Sequence, residues 1–383
     1  MSFTPRLVTS FRVPANAPRV PGVAHTADTP AVQRWPHRRL VVIRRDDELL
    51  AYDVDRLLAG DNDPATRFPA PWPRGSGGID AVSPTLDLAV FSGPHALHAV
   101  DAAGVLRWRL RHACWVPYCL SLHDFYEEYA DSKEHRHPDS GSCWISADGS
   151  TVWAHVRTPL PDDVEPEHNE EWLVIDAVDG RVLGRASTDT AAAGSQHIPH
   201  PDAGQMGLSV GEGQDGAPLR WGRWDGTRLT VTRLGDDDRC LVDASLCGTQ
   251  LLTIAHWGRE PAIHRLPDGA VMHEVAADHR LPPHPEAPSD AEEEPSWGYQ
   301  CGFVDERTVI ASTRERYGRP RHWLIDTARG DLLGQVEYPM PVSEDPMALG
   351  DGTWLTCGEA PFQLLLWSLP PTEDRVSSTA TSH

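Results

Sequence analysis

The densest run of side chains capable of chemistry is HDFYEEYADSKEHRH, residues 123–137. It places His123, Asp124, Glu127, Glu128, His135 and His137 close together in sequence. Imidazole and carboxylate are the donors that a divalent zinc, manganese or iron ion takes, and a His-x-His pair can chelate from one extended segment. His197 and His200, from a later polar stretch, complete the candidate metal ligands His123, His135, His137, His197 and His200. Against this stands abundance: 19 histidines in one chain make clustering by chance easy, and the spacing matches no known ligand motif. A loop of solvated charges is the first expectation, and a divalent metal site the alternative.

The same run interleaves acids with Phe125, Tyr126 and Tyr129, and Trp115 and Tyr118 lie just before it. Rings among carboxylates suit a protein anchor, a cationic ligand or a sugar, unless they pack the loop onto the body beneath. The candidate binding residues are therefore His123, Asp124, Tyr126, Glu127, Glu128 and Tyr129, joined by Glu212 and Asp215 of GEGQDG (211–216). That Gly-rich stretch leads into the strand pattern PLRWGRW, whereas a phosphate cradle leads into a helix N-terminus. It reads as a hairpin, and no nucleotide cofactor is expected.

His155 and His256 occupy equivalent places in TVWAHV and LLTIAHW, a column shared with Arg44, Ser92, Ser312 and Cys357. They are the candidate acid–base pair; the competing reading makes them polar groups that satisfy strand ends. No GxSxG or HExxH motif supplies a catalytic assignment.

The elements that must position these groups are written as a repeat. WLVIDAVDGRVLGRAS (172–187) returns as WLIDTARGDLLGQVEY (323–338). Apolar residues at helical spacing are almost absent, while short alternating or fully apolar runs recur between Gly, Pro, Asp and Asn. First strands fall at 40–44, 88–92, 151–156, 207–211, 251–257, 308–313 and 353–358, with partners at 48–54, 95–101, 171–177, 218–224, 261–266, 321–327 and 362–369. Tight turns with Gly104, Gly180, Gly226, Gly269 and Gly330 follow, and the first unit has a looser turn over 53–60. Units of about fifty residues suit one four-stranded propeller blade each.

Six units have an outgoing strand. The seventh runs into a polar, Pro-led tail, so RLVTSFRV (6–13) is expected to close the last blade. The reading is an all-β, seven-bladed β-propeller of four-stranded antiparallel blades, one domain over 1–372 with a disordered tail at 373–383. VDAAGVLRW (100–108), IDAVDGRVLG (175–184) and LLLWSL (364–369) resemble the strand–turn–strand pieces of WD40, YVTN and quinoprotein-like propellers. The resemblance spans most of the chain but is generic to that superfamily. The GH…WD signature is missing, and the one WD pair, Trp224-Asp225, sits in a turn. It implies that blade-to-blade loops and loops between a blade's two middle strands open on one face. The long segments 112–141, 157–170, 187–205 and 276–298 are assigned to that face.

Bulk composition narrows function. A net charge of −22, with Lys133 as the only lysine, repels phosphate backbones and anionic lipid, so neither nucleic acid nor membrane is an expected partner. The N-terminus lacks a secretory pattern and no apolar run would span a bilayer. Seven scattered cysteines without a CxxC pair read as reduced, mostly buried thiols. The expectation is a cytoplasmic, monomeric binding or scaffold protein that engages a protein or small ligand on its long-loop face. The alternative is a metal-assisted lyase or hydrolase with a His/carboxylate site there.

Overall fold

The computed structural model describes residues 2–13, 30–74, 78–116, 119, 121–135, 138–164, 169–235, 238–257, 259–277, 280–288, 295–360 and 363–369. The chain opens with β1 (Ser2–Phe3) and β2 (Arg6–Arg12). It forms two compact units, residues 16–241 and residues 1–15 with 242–383.

Four antiparallel sheets of four strands belong to the unit 16–241. The first is β3 (Ala31–Trp35), β4 (Arg38–Arg44), β5 (Glu48–Asp53) and β6 (Thr66–Pro69), with helix α1 (Val54–Leu58) between its last two strands. The second is β7 (Ala81–Val82), β8 (Leu88–Ser92), β9 (Ala96–Asp101) and β10 (Leu106–Arg111). The third is β11 (Ser142–Ile145), β12 (Thr151–Arg157), β13 (Glu170–Asp176) and β14 (Val182–Ser187). The fourth is β15 (Gly194–Pro199), β16 (Gln205–Gly211), β17 (Leu219–Trp224) and β18 (Leu229–Arg233).

Three sheets follow, the fifth entered by β19 (Arg239–Ala244) and continued by β20 (Gln250–Ala255), β21 (Pro261–Arg265) and β22 (Val271–Glu274). The sixth is β23 (Ser296–Asp305), β24 (Thr308–Arg314), β25 (His322–Asp326) and β26 (Leu332–Val336). The seventh is β27 (Val342–Ala348), β28 (Thr353–Gly358) and β29 (Gln363–Ser368). Its fourth strand is β2, antiparallel to β29 from Arg6↔Ser368 to Arg12↔Gln363. The N-terminal strand thus closes the last blade, as the missing outgoing strand required. β1 adds a short parallel edge to β26, which two residues could not have signalled in the sequence.

The two near-identical sentences of the sequence are two copies of one turn. Asp176 Oδ1 accepts from the N–H of Val178 at 2.8 Å, and Asp326 Oδ1 from that of Ala328 at 2.8 Å. Gly180 and Gly330 then take φ of 75° and 67°, a region costly for residues with a Cβ. In both sheets the outer pairing shifts register at the same place, Val174/Ile175 and Leu324/Ile325. The 53–60 turn differs from its expectation. Asp53 caps α1 by accepting from the N–H groups of Asp55 and Arg56, and Gly60 ends it at φ 88°.

Most second and third strands are buried on both faces; Thr151 to Val156 of β12 are all buried. Tryptophans fill the space between neighbouring sheets. Trp153 and Trp172 of the third sheet lie so close to Gly222 of β17 that a Cβ there would meet them at 2.6 and 2.9 Å. Imidazoles share this interior. His197 of β15 has Nδ1 2.8 Å from Ser142 Oγ, and its Nε2 accepts from Trp172 Nε1 at 2.8 Å. With one nitrogen facing an N–H donor, the ring cannot take a second proton without a clash. Burial holds it well below the ordinary histidine value. Burial likewise pushes His95 down to about 3, and His98 and His112 to about 4.

Two outcomes are expected. Phe11 of β2 is 4% exposed, so Phe11→Ala should cost about 3 kcal/mol of unfolding free energy in a denaturant titration. A change within error would show that the closing strand is dispensable. Below about pH 6.5 the unfolded chain takes up protons that these buried rings refuse, so stability should fall with pH. The slope is about 1.4 kcal/mol per pH unit for each ring that stays neutral. Denaturation midpoints flat between pH 7 and pH 4.5 would contradict it.

Candidate metal centre

The long segment 112–141 runs from β10, the outer strand of the second sheet, to β11, the first of the third. Its start is pinned by backbone hydrogen bonds. The N–H groups of His112 and Trp115 donate to the carbonyls of His95 and Pro94 in the β8–β9 turn, and that of Ala113 donates to Arg157 O. Trp115 is fully buried, with the His155 ring 5.4 Å away and the Arg157 guanidinium over its face at 5.7 Å. At the far end, Gly141 packs where a Cβ would lie 2.1 Å from His155 O and 2.8 Å from Trp115.

Between these anchors none of the described residues belongs to a strand, and polar groups hold the segment. Two 3-10 turns occur, Tyr126–Glu128 and Lys133–His135. Glu128 organises the first: Oε1 accepts from the N–H groups of Asp124 and Phe125 at 2.9 and 3.1 Å. Tyr129 is 4% exposed, stacks on His135 at 4.8 Å and places its hydroxyl 2.5 Å from His95 Nδ1.

Around Tyr129 the segment gathers Cys114, Cys119, His123 and His135, one ligand atom of each lying within 4.8 Å of the others. Cys119 Sγ is 3.3 Å from His123 Nε2. The outer nitrogens of the two rings are held from behind, His123 Nδ1 by Glu128 Oε2 at 3.1 Å and His135 Nδ1 by Ser132 Oγ at 3.3 Å. His135 Nε2 is buried without a hydrogen-bond partner among the described residues. Cys114 is fully buried, and burial, with Cys119 beside it, pushes its thiol up to about 12. The hydrogen bond from His123 holds the Glu128 carboxyl below the usual range.

The structure therefore brings together His123 and His135 of the five histidines named from sequence. His137, with Tyr118, lies outside the described residues. His197 sits inside β15 with both nitrogens engaged. His200 lies past β15, in the turn to β16, where Nδ1 accepts from the N–H of Asp202 at 3.0 Å. The stretch 187–205, read as one long loop, is divided by β15, so His200 stands at the opposite end of that strand from Gly194. Cys114 and Cys119 were read as plain buried thiols. Their signal was the spacing Cys-x4-Cys-x3-His-x11-His over 114–135, visible only when both residue types are counted together.

The other candidates fall elsewhere. His155 is fully buried, with Nε2 3.4 Å from Glu170 Oε2 and from Thr188 Oγ1. Burial alone would raise the Glu170 carboxyl, but hydrogen bonds from His155, Thr190 and the Ala192 N–H hold it below the usual value. The same column gives Arg44, paired with Asp80 at 2.9 Å. His256 lies just past β20, its ring against Trp257 at 4.8 Å and its carbonyl accepting from Tyr299 at 2.8 Å. Glu212 accepts from the N–H of Ala191 at 2.7 Å, and Asp215 lies exposed in a 3-10 turn. Asp124 pairs with Arg111 at 2.5 Å.

No family model matches the chain, and no curated protein matches it. Solved structures do. The β-propeller domain of Myceliophteria thermophila Cps50 (Swd1) is similar at 11% identity over 94% of this chain and all of that one, with a TM-score of 0.53. U3-55K is similar at 10% identity, covering 90% of this chain and 97% of that one at a TM-score of 0.52. Kuenenia stuttgartiensis hydrazine synthase is similar at 11% identity, covering 92% and 98%, also at 0.52. Identities this low speak to fold alone. With its seven blades of four antiparallel strands, the chain has the β-propeller fold.

Proposed function

We propose that this protein is a non-catalytic binding platform of the cytoplasm, and that the segment 112–135 presents its recognition surface to a protein partner with a basic face. The observation that carries the reading is Phe125, a large ring 60% exposed on a backbone held by hydrogen bonds. Its own N–H and that of Asp124 are held by Glu128. Arg109 supports it from below, with the guanidinium 5.7 Å from the ring and a 2.9 Å hydrogen bond to Asp124 O. A rigid exposed aromatic loses little entropy on binding, which is what an interface anchor needs.

Around that anchor Glu127, Asp131 and Glu134 are exposed, in a chain of net charge −22. An acidic rim of this kind steers and selects a partner rich in arginine or lysine. The buried imidazoles at the start of the segment do not favour catalysis. His95, His112 and His155 are at most 1% exposed, out of reach of a substrate. The seven cysteines are all free, which suits a reducing compartment.

The test compares the wild-type protein with Glu127→Arg/Asp131→Arg as baits in extract of the native host, followed by titration of the captured protein. The double variant should bind at least tenfold more weakly, about 1.4 kcal/mol, and Phe125→Ala by a similar factor. The wild-type advantage should shrink as salt rises. Equal capture and equal affinity for all three proteins would refute the platform at this segment.

A further inference from the structure

The four converging donors in segment 112–135 have a chemistry that the binding reading does not require. We propose that Cys114, Cys119, His123 and His135 hold one structural Zn2+ ion, through both thiolates and the Nε2 atoms of both rings. Two thiolates and two imidazoles are the donor set of a tetrahedral zinc site, and the mixture of soft sulfur with imidazole disfavours magnesium, calcium and manganese.

The geometry suits that ion. Bonds of about 2.3 Å to sulfur and about 2.0 Å to nitrogen put tetrahedral ligand atoms roughly 3.3–3.8 Å apart. The Cys119 Sγ to His123 Nε2 distance of 3.3 Å is within about 0.2 Å of the sulfur–nitrogen edge of such a tetrahedron. With all four ligand atoms within 4.8 Å of one another, an inward movement of about 1 Å or less completes the shell.

The surroundings are those of a metal site as well. A ligating histidine usually gives its other N–H to a carboxylate or another oxygen, which fixes the tautomer and strengthens the donor. Glu128 does this for His123 and Ser132 does it for His135. The inner His135 Nε2 is then left buried without a partner among the described residues. A neutral imidazole with Nδ1–H bonded outward has its Nε2 lone pair directed inward, where a cation would satisfy it.

Charge balances too. Binding displaces the protons of both thiols to solvent and forms two Zn–S bonds. The ion with two thiolates and two neutral imidazoles carries no net charge, so its half-buried position is not penalised as an unpaired ion would be. Four protein donors leave no position for a substrate or water, which makes the centre a staple and not a catalyst. It would tie the start of the segment, anchored to the second sheet, to His123 and to the second 3-10 turn.

The experiment uses the full chain without a His-tag, and its probes are zinc and cobalt alone. Metal analysis after zinc loading and desalting should give one zinc per chain, with roughly two protons released per ion bound near neutral pH. Cobalt substitution should give the intense visible bands of a tetrahedral thiolate-bound ion, a readout that needs no variant. Cys119→Ser and His135→Gln should abolish retention. Glu128→Gln should keep the site but weaken it 10–100-fold. Absence of stoichiometric zinc in the wild-type protein, an octahedral cobalt spectrum, or unchanged retention in both ligand variants would overturn the proposal. Partner capture is read separately, so either idea can fail alone.

Discussion

In the third sheet, Thr151 to Val156 of β12 and Trp172 to Ile175 of β13 are buried whichever way their side chains point. Burial of both sheet faces is the constraint on which the rest depends, because it leaves a strand no solvated side for a working polar group. Several of the polar residues that do enter arrive with partners. His197 bridges Ser142 and Trp172, and Arg44 meets Asp80. Such groups hold sheets in register but are closed to substrate. The exposed polar groups of residues 121–135 lie instead in a segment between strands.

Those segments meet the opposite difficulty. Residues 121–135 are dominated by charge and bury little beyond Tyr129, so apolar burial alone cannot order them against the entropy of a free loop. Their order comes from directed bonds: Glu128 capping a turn and backing His123, Tyr129 reaching His95, and Ser132 backing His135. A zinc ion on the Cys/His set would add bonds far stronger than any of these at the centre of that network. Acidic, aromatic and metal-ligating residues then have distinct jobs within one short segment. Phe125, Glu127, Asp131 and Glu134 face outward, while Tyr129 and the donors face inward.

The fold was written plainly in the sequence because each blade repeats the same physical solution. Apolar strands, an Asp that accepts from the turn, and a Gly at positive φ recur as in Asp176–Gly180 and Asp326–Gly330, so one copy explains the next. The closing strand β2 was legible from what the last blade lacked. Elements off the repeat were harder. β1 is two residues long, α1 was concealed in an Asp-led turn, and β15, GSQHIP, carries too few apolar residues to announce a strand. Missing β15 is what placed His197 and His200 beside the loop histidines.

The donor set shows the other limit. His123 and His135 stood out by type, but Cys114 and Cys119 are separated by four residues and match no CxxC pattern. Their convergence depends on the backbone bonds that tie His112 and Trp115 to the β8–β9 turn, a tertiary fact with no local signature. The most direct measurement of the account is hydrogen exchange followed by mass spectrometry on the zinc-loaded chain, with and without a chelator. Stapling at the Cys/His set predicts that removing the ion accelerates exchange across residues 121–135 while the strands of the second and third sheets keep their protection. Exchange that is unchanged in that segment, or that rises equally in the sheets, would contradict it.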